Sequence, residues 1–255
     1  MQTNDLTTAQ TCGKVEGEHL VEAFDLRLVQ KLFHRFGCEY FHFGRFLRRQ
    51  FTPDGRVLTD ELFRNRFIEG CSAPKYNVAN LHAGCVELYV KKGAKLRYST
   101  IENWSKNMYN LNTKRALCEE GATVEWISGS FGSHVGCLYP MSVLKGDNSK
   151  MEFTGVTFAG AGQNLDTGAK VVHIGKNTSS YMNTRSISKS GGISTFRSSV
   201  TVEKSAAGAK SSVSCQSLML DSDSRSDTVP AMDIRTKDAA VGHEAKIGSI
   251  SGDAV

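Results

Sequence analysis

The residues of this chain best suited to chemistry are Cys71 after Glu69-Gly70, Cys215 within Ser214-Cys215-Gln216, and His243-Glu244 within Val241-Gly242-His243-Glu244-Ala245. Thiolate and imidazole together suit iron and sulfur, and a carboxylate can fill an iron site or orient the imidazole. The plainer role of a buried cysteine is that of a small hydrophobe. On a strand, neighbouring side chains point to opposite faces, so His243 and Glu244 cannot both ligate one metal without a bulge or a second chain.

Other suggestive stretches do not hold up. Gly160-Ala161-Gly162-Gln163-Asn164-Leu165 begins like a dinucleotide fingerprint, but Leu165 stands where the third glycine belongs and no helical pattern follows. Asp221-Ser222-Asp223-Ser224-Arg225 begins like a calcium loop, yet Arg225 takes a ligand position and Met232 stands where a bidentate Glu is needed. Both read as loops. The sequence contains no Cys-x-x-Cys, His-Glu-x-x-His or P-loop, which argues against a preformed zinc site and assigns any nucleotide hydrolysis to a partner.

A length of 255 residues with 40% hydrophobic and 22% charged side chains describes a folded chain with a substantial core. Mean hydropathy is −0.30, and no apolar run approaches the ~18 residues of a membrane span. Seven cysteines, an odd number without an apolar leader before them, point to a reducing compartment: the cytoplasm, or a plastid or other organelle in a eukaryote. Residues 1–70 hold ten basic and ten acidic side chains, so no regional charge excess favours nucleic acid or a membrane surface.

The elements that must position these residues change near residue 71. All 26 serines lie at Ser72 or beyond, whereas nine of the thirteen phenylalanines lie at Phe67 or before. In the first part Leu26, Val29, Phe33, Phe36, Tyr40, Phe43 and Leu47 recur at helical spacing, with Gly37 and Gly44 allowing two shorter helices in place of one. Beyond residue 71 the pattern is short β-branched or aromatic runs bounded by Gly, Ser, Asn and Asp.

A phrase recurs there: Gly93-Ala94-Lys95-Leu96, Gly121-Ala122-Thr123-Val124, Gly168-Ala169-Lys170-Val171 and, more weakly, Gly208-Ala209-Lys210. With intermediate copies at Asn148-Ser149-Lys150 and Gly191-Gly192-Ile193, the steps are roughly 20 to 28 residues, the length of a solenoid coil. An antiparallel sandwich is the alternative, but the Asn-Gly and Asp-Gly hairpin turns it favours are missing from this segment. The pattern therefore predicts a mainly β fold, a β-solenoid preceded by a short helical segment.

At these same residues the sequence resembles the SufB family of iron-sulfur scaffold proteins. The likeness is carried by Phe67-Ile68-Glu69-Gly70-Cys71-Ser72-Ala73-Pro74, Leu81-His82-Ala83, Arg97-Tyr98-Ser99-Thr100-Ile101-Glu102-Asn103-Trp104 and Asn112-Thr113-Lys114-Arg115. It continues through Leu144-Lys145-Gly146-Asp147, Asp166-Thr167-Gly168, Gly175-Lys176-Asn177-Thr178 and Asp238-Ala239-Ala240-Val241-Gly242-His243-Glu244-Ala245, so it spans about Arg66 to Val255. The resemblance implies a right-handed parallel β-helix, a SufC-like ATPase and a SufD-like paralogue as partners, and a sulfur donor of the SufE or SufU type. It implies sulfur acceptance at Cys71, transfer past Trp104 and Lys114, and a transient iron-sulfur cluster at Cys215, His243 and Glu244 on a partner interface.

Three departures accompany it. Glu102 stands where the family motif usually carries glutamine, adding a charge that is costly to bury unless paired or protonated. Residues 1–65 read as a divergent or unrelated N-terminal segment. The family's C-terminal helical domain, which docks the ATPase, would lie beyond Val255. The expected function is a non-enzymatic cluster-assembly scaffold, and the alternative is a cluster-incompetent structural β-helix that only mediates protein assembly. A polysaccharide-acting β-helix is disfavoured, because such sites need carboxylates clustered on adjacent coils.

Overall fold

The computed structural model describes residues 64–72 and 79–250. The helical stripe of residues 26–47 lies outside them. The described residues form strands β1 (Arg64–Ser72), β2 (Asn80–Val90), β3 (Lys95–Trp104), β4 (Met108–Cys118), β5 (Thr123–Gly132), β6 (Val135–Leu138) and β7 (Met141–Leu144). They continue as β8 (Lys150–Ala159), β9 (Asn164–His173), β10 (Ser179–Ser188), β11 (Ile193–Val202), β12 (Ala209–Met219), β13 (Arg225–Ile234) and β14 (Ala239–Ser249).

Period-two alternation makes these strands. In β8, Met151, Phe153, Gly155, Thr157 and Ala159 are buried while every residue between them is exposed. The chain steps back and forth between two seven-stranded sheets, one ordered β1-β3-β5-β8-β10-β12-β14 and the other β13-β11-β9-β6-β4-β2 with β7 beside β6 between β4 and β9. Every strand pair is parallel. This is a parallel β-solenoid of about six turns with two strands per turn, and it excludes the sandwich.

The turn length differs from the expected 20 to 28 residues. Register partners are separated by 26 residues from Arg115 to Met141 and by 32 from Ile193 to Arg225. The recurring phrase mixes two positions of the coil. Gly93, Gly121 and Gly208, with Asn148, take left-handed backbone conformations in the turns ahead of β3, β5, β12 and β8 of the first sheet. Gly191 has the same conformation but precedes β11 of the second sheet, and Gly168 sits inside β9. Gly168 is required there for space, since a Cβ atom would overlap the Arg197 carbonyl of the next turn.

The core lies between the two sheets. Val124, Trp126, Leu144, Met151, Phe153, Val171, Met182, Val200, Val202 and Val213 form its apolar centre. Buried serines and threonines fill much of the rest, which accounts for the serine bias of this part of the chain. Gly160–Gly162 and Asp221–Ser224 are turns, and Asp221 caps its own turn by accepting from the Ser224 amide at 2.9 Å and hydroxyl at 2.6 Å.

Candidate functional site

The inward positions of the first two turns build a polar chamber. β1 contributes Glu69 and Cys71, β3 contributes Tyr98, Thr100, Glu102 and Trp104, β2 contributes His82, and β4 contributes Asn110, Asn112 and Lys114. Register sets Glu69 against Thr100 and Cys71 against Glu102 on one wall, and His82 against Asn110 on the other. Sequence reading singles out Cys71, Glu102, Trp104 and Lys114, and the structure brings all four to this chamber.

Lys114 is 3% exposed and bonds to two of its neighbours, donating to Glu69 Oε2 at 2.6 Å and Thr100 Oγ1 at 2.7 Å while lying 4.8 Å from the centre of the Tyr98 ring. Tyr98 and Thr100 also donate to Glu69 Oε2, at 3.0 and 3.2 Å. Burial pushes the Glu69 carboxyl up, but the Lys114 charge and the hydrogen bonds from Lys114, Tyr98 and Thr100 together hold it below its ordinary value. Glu102 is held differently. Asn110 Nδ2 donates to Oε2 at 2.6 Å and Asn112 Nδ2 donates to Oε1 at 2.7 Å. Burial, joined by the charge of Glu69, raises its pKa despite the opposing effects of Lys114 and the two amides.

His82 joins the chamber through Nδ1, 2.8 Å from Asn110 Oδ1, and its ring stands 4.5 Å from that of Trp104. Burial, the largest influence, lowers its pKa. The Trp104 indole N–H is buried without an acceptor among the described residues, whereas Trp126 donates to Ser142 Oγ at 2.9 Å. The places of Glu69, His82, Asn110 and Asn112 in this network are missed by sequence reading. The signal that could reveal them is coil spacing, since 28 residues separate His82 from Asn110 and 31 separate Cys71 from Glu102.

At the other end of the solenoid, β12 points Cys215 inward, where it is 2% exposed, and β14 turns His243 toward it. Cys215 Sγ lies 3.8 Å from His243 Nε2 and 3.6 Å from Thr228 Oγ1 of β13. Glu244 faces the opposite way, as alternation requires, and Lys246 Nζ pairs with it at 2.9 Å. That hydrogen bond and the Lys246 charge lower the Glu244 pKa. The structure thus unites Cys215 and His243 and leaves Glu244 outside. Among the described residues, no group of three or more His, Cys, Asp or Glu side chains is arranged to hold a metal ion.

Two files of inward residues connect the ends. Glu69, Thr100, Ser128, Gly155, Thr184 and Cys215 are successive register partners, and so are Cys71, Glu102, Ser130, Thr157, Ser186 and Ser217. Strand spacing makes each file about 24 Å long. Both are lined by small or polar side chains, with Ser186 donating to Ser217 at 2.8 Å.

The family model described as "SUF system FeS cluster assembly, SufBD core domain" matches residues 52–255. The chain is 44% identical over 195 residues to the iron-sulfur cluster assembly protein SufB of Bacillus subtilis, covering 76% of this chain and 42% of that protein. It is 49% identical over 185 residues to an iron-sulfur cluster assembly SufBD family protein of Mycobacterium leprae, covering 72% of this chain and 21% of the relative. A SufBD family protein of Staphylococcus saprophyticus is 42% identical over 195 residues. The chain therefore spans between about a fifth and two fifths of the length of these curated relatives. Among the described residues no helix is long and apolar enough to cross a membrane.

Proposed function

The chain belongs to the SufBD core family of the SUF iron-sulfur cluster assembly system, and on that premise we propose that it is a scaffold that accepts sulfur at Cys71 and builds a nascent cluster beside Cys215 and His243 with a partner subunit. The observation that carries this reading is the 3.8 Å approach of a buried thiol to an imidazole on β14. Two soft donors make half of an iron site, so the remaining ligands come from sulfide and from the partner. Glu244 reaches that site only from the partner's side or after local rearrangement.

At the Cys71 end, the thiolate attacks the outer sulfur of a donor persulfide, the donor S–S bond breaks, and the donor cysteine leaves as its thiolate. The two inward files support an internal route from there toward Cys215, with Glu102, Trp104 and Lys114 at its beginning. The coils wind right-handed, as parallel crossovers do. A SufC-like ATPase, a SufD-like paralogue and a SufE- or SufU-type sulfur donor complete the system in the cytoplasm, and the cluster leaves as cargo.

Anaerobic incubation with iron and sulfide followed by visible absorption tests the cluster site: wild type develops thiolate-to-iron bands, and Cys215→Ser loses most of them. Treatment with a persulfide donor followed by peptide mass spectrometry tests the acceptor, with one added sulfur atom expected on Cys71. Absence of the chromophore in wild type would leave a structural solenoid that serves assembly alone. Sulfur on another cysteine with Cys71 unmodified would displace Cys71.

A further inference from the structure

We propose that Glu102 and Cys71 form a single acid pair, in which Glu102 takes up the proton whenever Cys71 becomes an anion, so that sulfur acceptance is coupled to protonation of a buried carboxyl. The proposal rests on the reading of Cys71 as the acceptor and assigns the proton that this reaction must move.

The geometry has three parts. First, Cys71 and Glu102 are direct register partners on β1 and β3, and both occupy inward positions. Side chains so placed on adjacent parallel strands stand about 5 Å apart. Second, Glu102 is 2% exposed, and its oxygens are met by neutral amides, not by a cation. Third, Lys114 is committed to Glu69 and Thr100, and among the described residues no ion pair reaches Glu102. Glu69, Glu102 and Lys114 thus place two carboxyls against one ammonium.

The ionisable groups facing Glu102 are Glu69 and Cys71 from β1, His82 from β2 and Lys114 from β4, with Tyr98 on β3 itself; β5 offers Ser130, and Cys137 of β6 lines a small cavity beside it. Burial lowers the His82 pKa, so the ring is disfavoured as a source of balancing charge. A thiolate or persulfide anion at Cys71 would be a second negative charge about one strand spacing from an ionised Glu102, and two like charges that close disfavour each other. Burial and the charge of Glu69 raise the Glu102 pKa against the opposing effects of Lys114 and the two amides, which favours its protonated form.

The step balances. The Cys71 thiol passes its proton to the Glu102 carboxylate, and the thiolate attacks the outer sulfur of the donor R–S–SH. The donor S–S bond breaks as the new one forms at Cys71, and the proton held by Glu102 ends on the departing R–S⁻. The net products are Cys71–S–SH and R–SH, with no external oxidant or reductant.

The test is the pH profile of iodoacetamide alkylation at Cys71, followed by peptide mass spectrometry on the full chain from roughly pH 4 to 10, which spans carboxyl and thiol titration. A coupled pair gives two steps in wild type. Glu102→Gln gives a single step, displaced below the upper wild-type step by about one pH unit, so that Cys71 reacts about tenfold faster at a pH between them. Glu102→Asp keeps the acid and the two steps, and with wild type it decides the matter if Glu102→Gln does not fold. A single step in wild type, or superimposable wild-type and Glu102→Gln profiles, would overturn the proposal. Parallel incubation with glutathione persulfide separates the two ideas. Two steps without sulfur on Cys71 would sink the acceptor reading and keep the pair, while sulfur on Cys71 with one step would do the reverse.

Discussion

His243 Nε2 stands 3.8 Å from Cys215 Sγ although the register of β12 and β14 places His243 opposite Val213 and Cys215 opposite Ala245. The contact runs diagonally between turns, because both side chains point into the solenoid and imidazole is long enough to bridge the offset. Neither alternation nor the pairing pattern alone would bring them together.

This geometry separates His243 from its sequence neighbour. His243→Ala should weaken iron binding in reconstitution by about tenfold or more, on the scale by which lost ligand-shell groups reduce metal affinity. Glu244→Ala should leave the binding of the isolated chain unchanged, since Glu244 faces outward against Lys246. Titration with ferrous iron under sulfide, read by absorption, checks both. An equal loss in Glu244→Ala would mean that β14 rearranges on loading.

The Lys114–Glu69 pair joins β4 to β1 across the first turns at 2.6 Å. Lys114→Met removes the ammonium and strands a largely enclosed carboxylate, which costs about 3 kcal/mol when such a pair is broken from one side. Adding Glu69→Gln should recover much of that loss. Urea midpoints of the single and double variants check it. In wild type the Glu69 contribution is fully present above the ordinary carboxylate pKa and disappears as pH falls through its lower folded value.

His173 predicts a second acid sensitivity. It is wholly buried, with Nδ1 2.8 Å from Thr178 Oγ1 and Nε2 3.0 Å from Ser180 Oγ, and burial lowers its pKa from 6.5 to about 4. Above pH 6.5 the ring is neutral in both folded and unfolded chains, so its full contribution is present. Between that value and about 4 the unfolded chain binds a proton that the folded chain refuses, and stability falls. The loss approaches about 3 kcal/mol at the lower limit. Denaturant midpoints at several pH values should show this slope in wild type and a flatter one in His173→Gln.

Two glycines should behave oppositely. Gly168→Ala drives a Cβ atom into the Arg197 backbone of the next turn, whereas Gly70→Ala places one where no heavy atom of the described residues lies within 4 Å. The first should lower stability by several kcal/mol, on the order of a severe overpacking defect, and the second by less than about 1 kcal/mol. Thermal melts and soluble yield distinguish them.

The strands of residues 95–249 are legible in the sequence because alternation is local: Met151, Phe153 and Ala159 announce a buried face without reference to any other strand. The family likeness is legible for the same reason, being carried by short ordered phrases around Cys71, Trp104, Lys114 and His243. The length of the coil is not. Gly93 and Gly191 look alike because both supply left-handed turns, yet they introduce strands of different sheets, and only the pairing reveals two strands per turn. The Cys215–His243 approach is foreshadowed by their separation of 28 residues, about one coil, but the Glu102 amides and the Lys114–Glu69 pair were decided by tertiary structure. Each joins residues on different strands, and which side chains meet depends on turn lengths and register that no local pattern encodes. The same stacking that hides these contacts in the sequence places a second carboxyl, Glu102, in register with Cys71 on the adjacent strand.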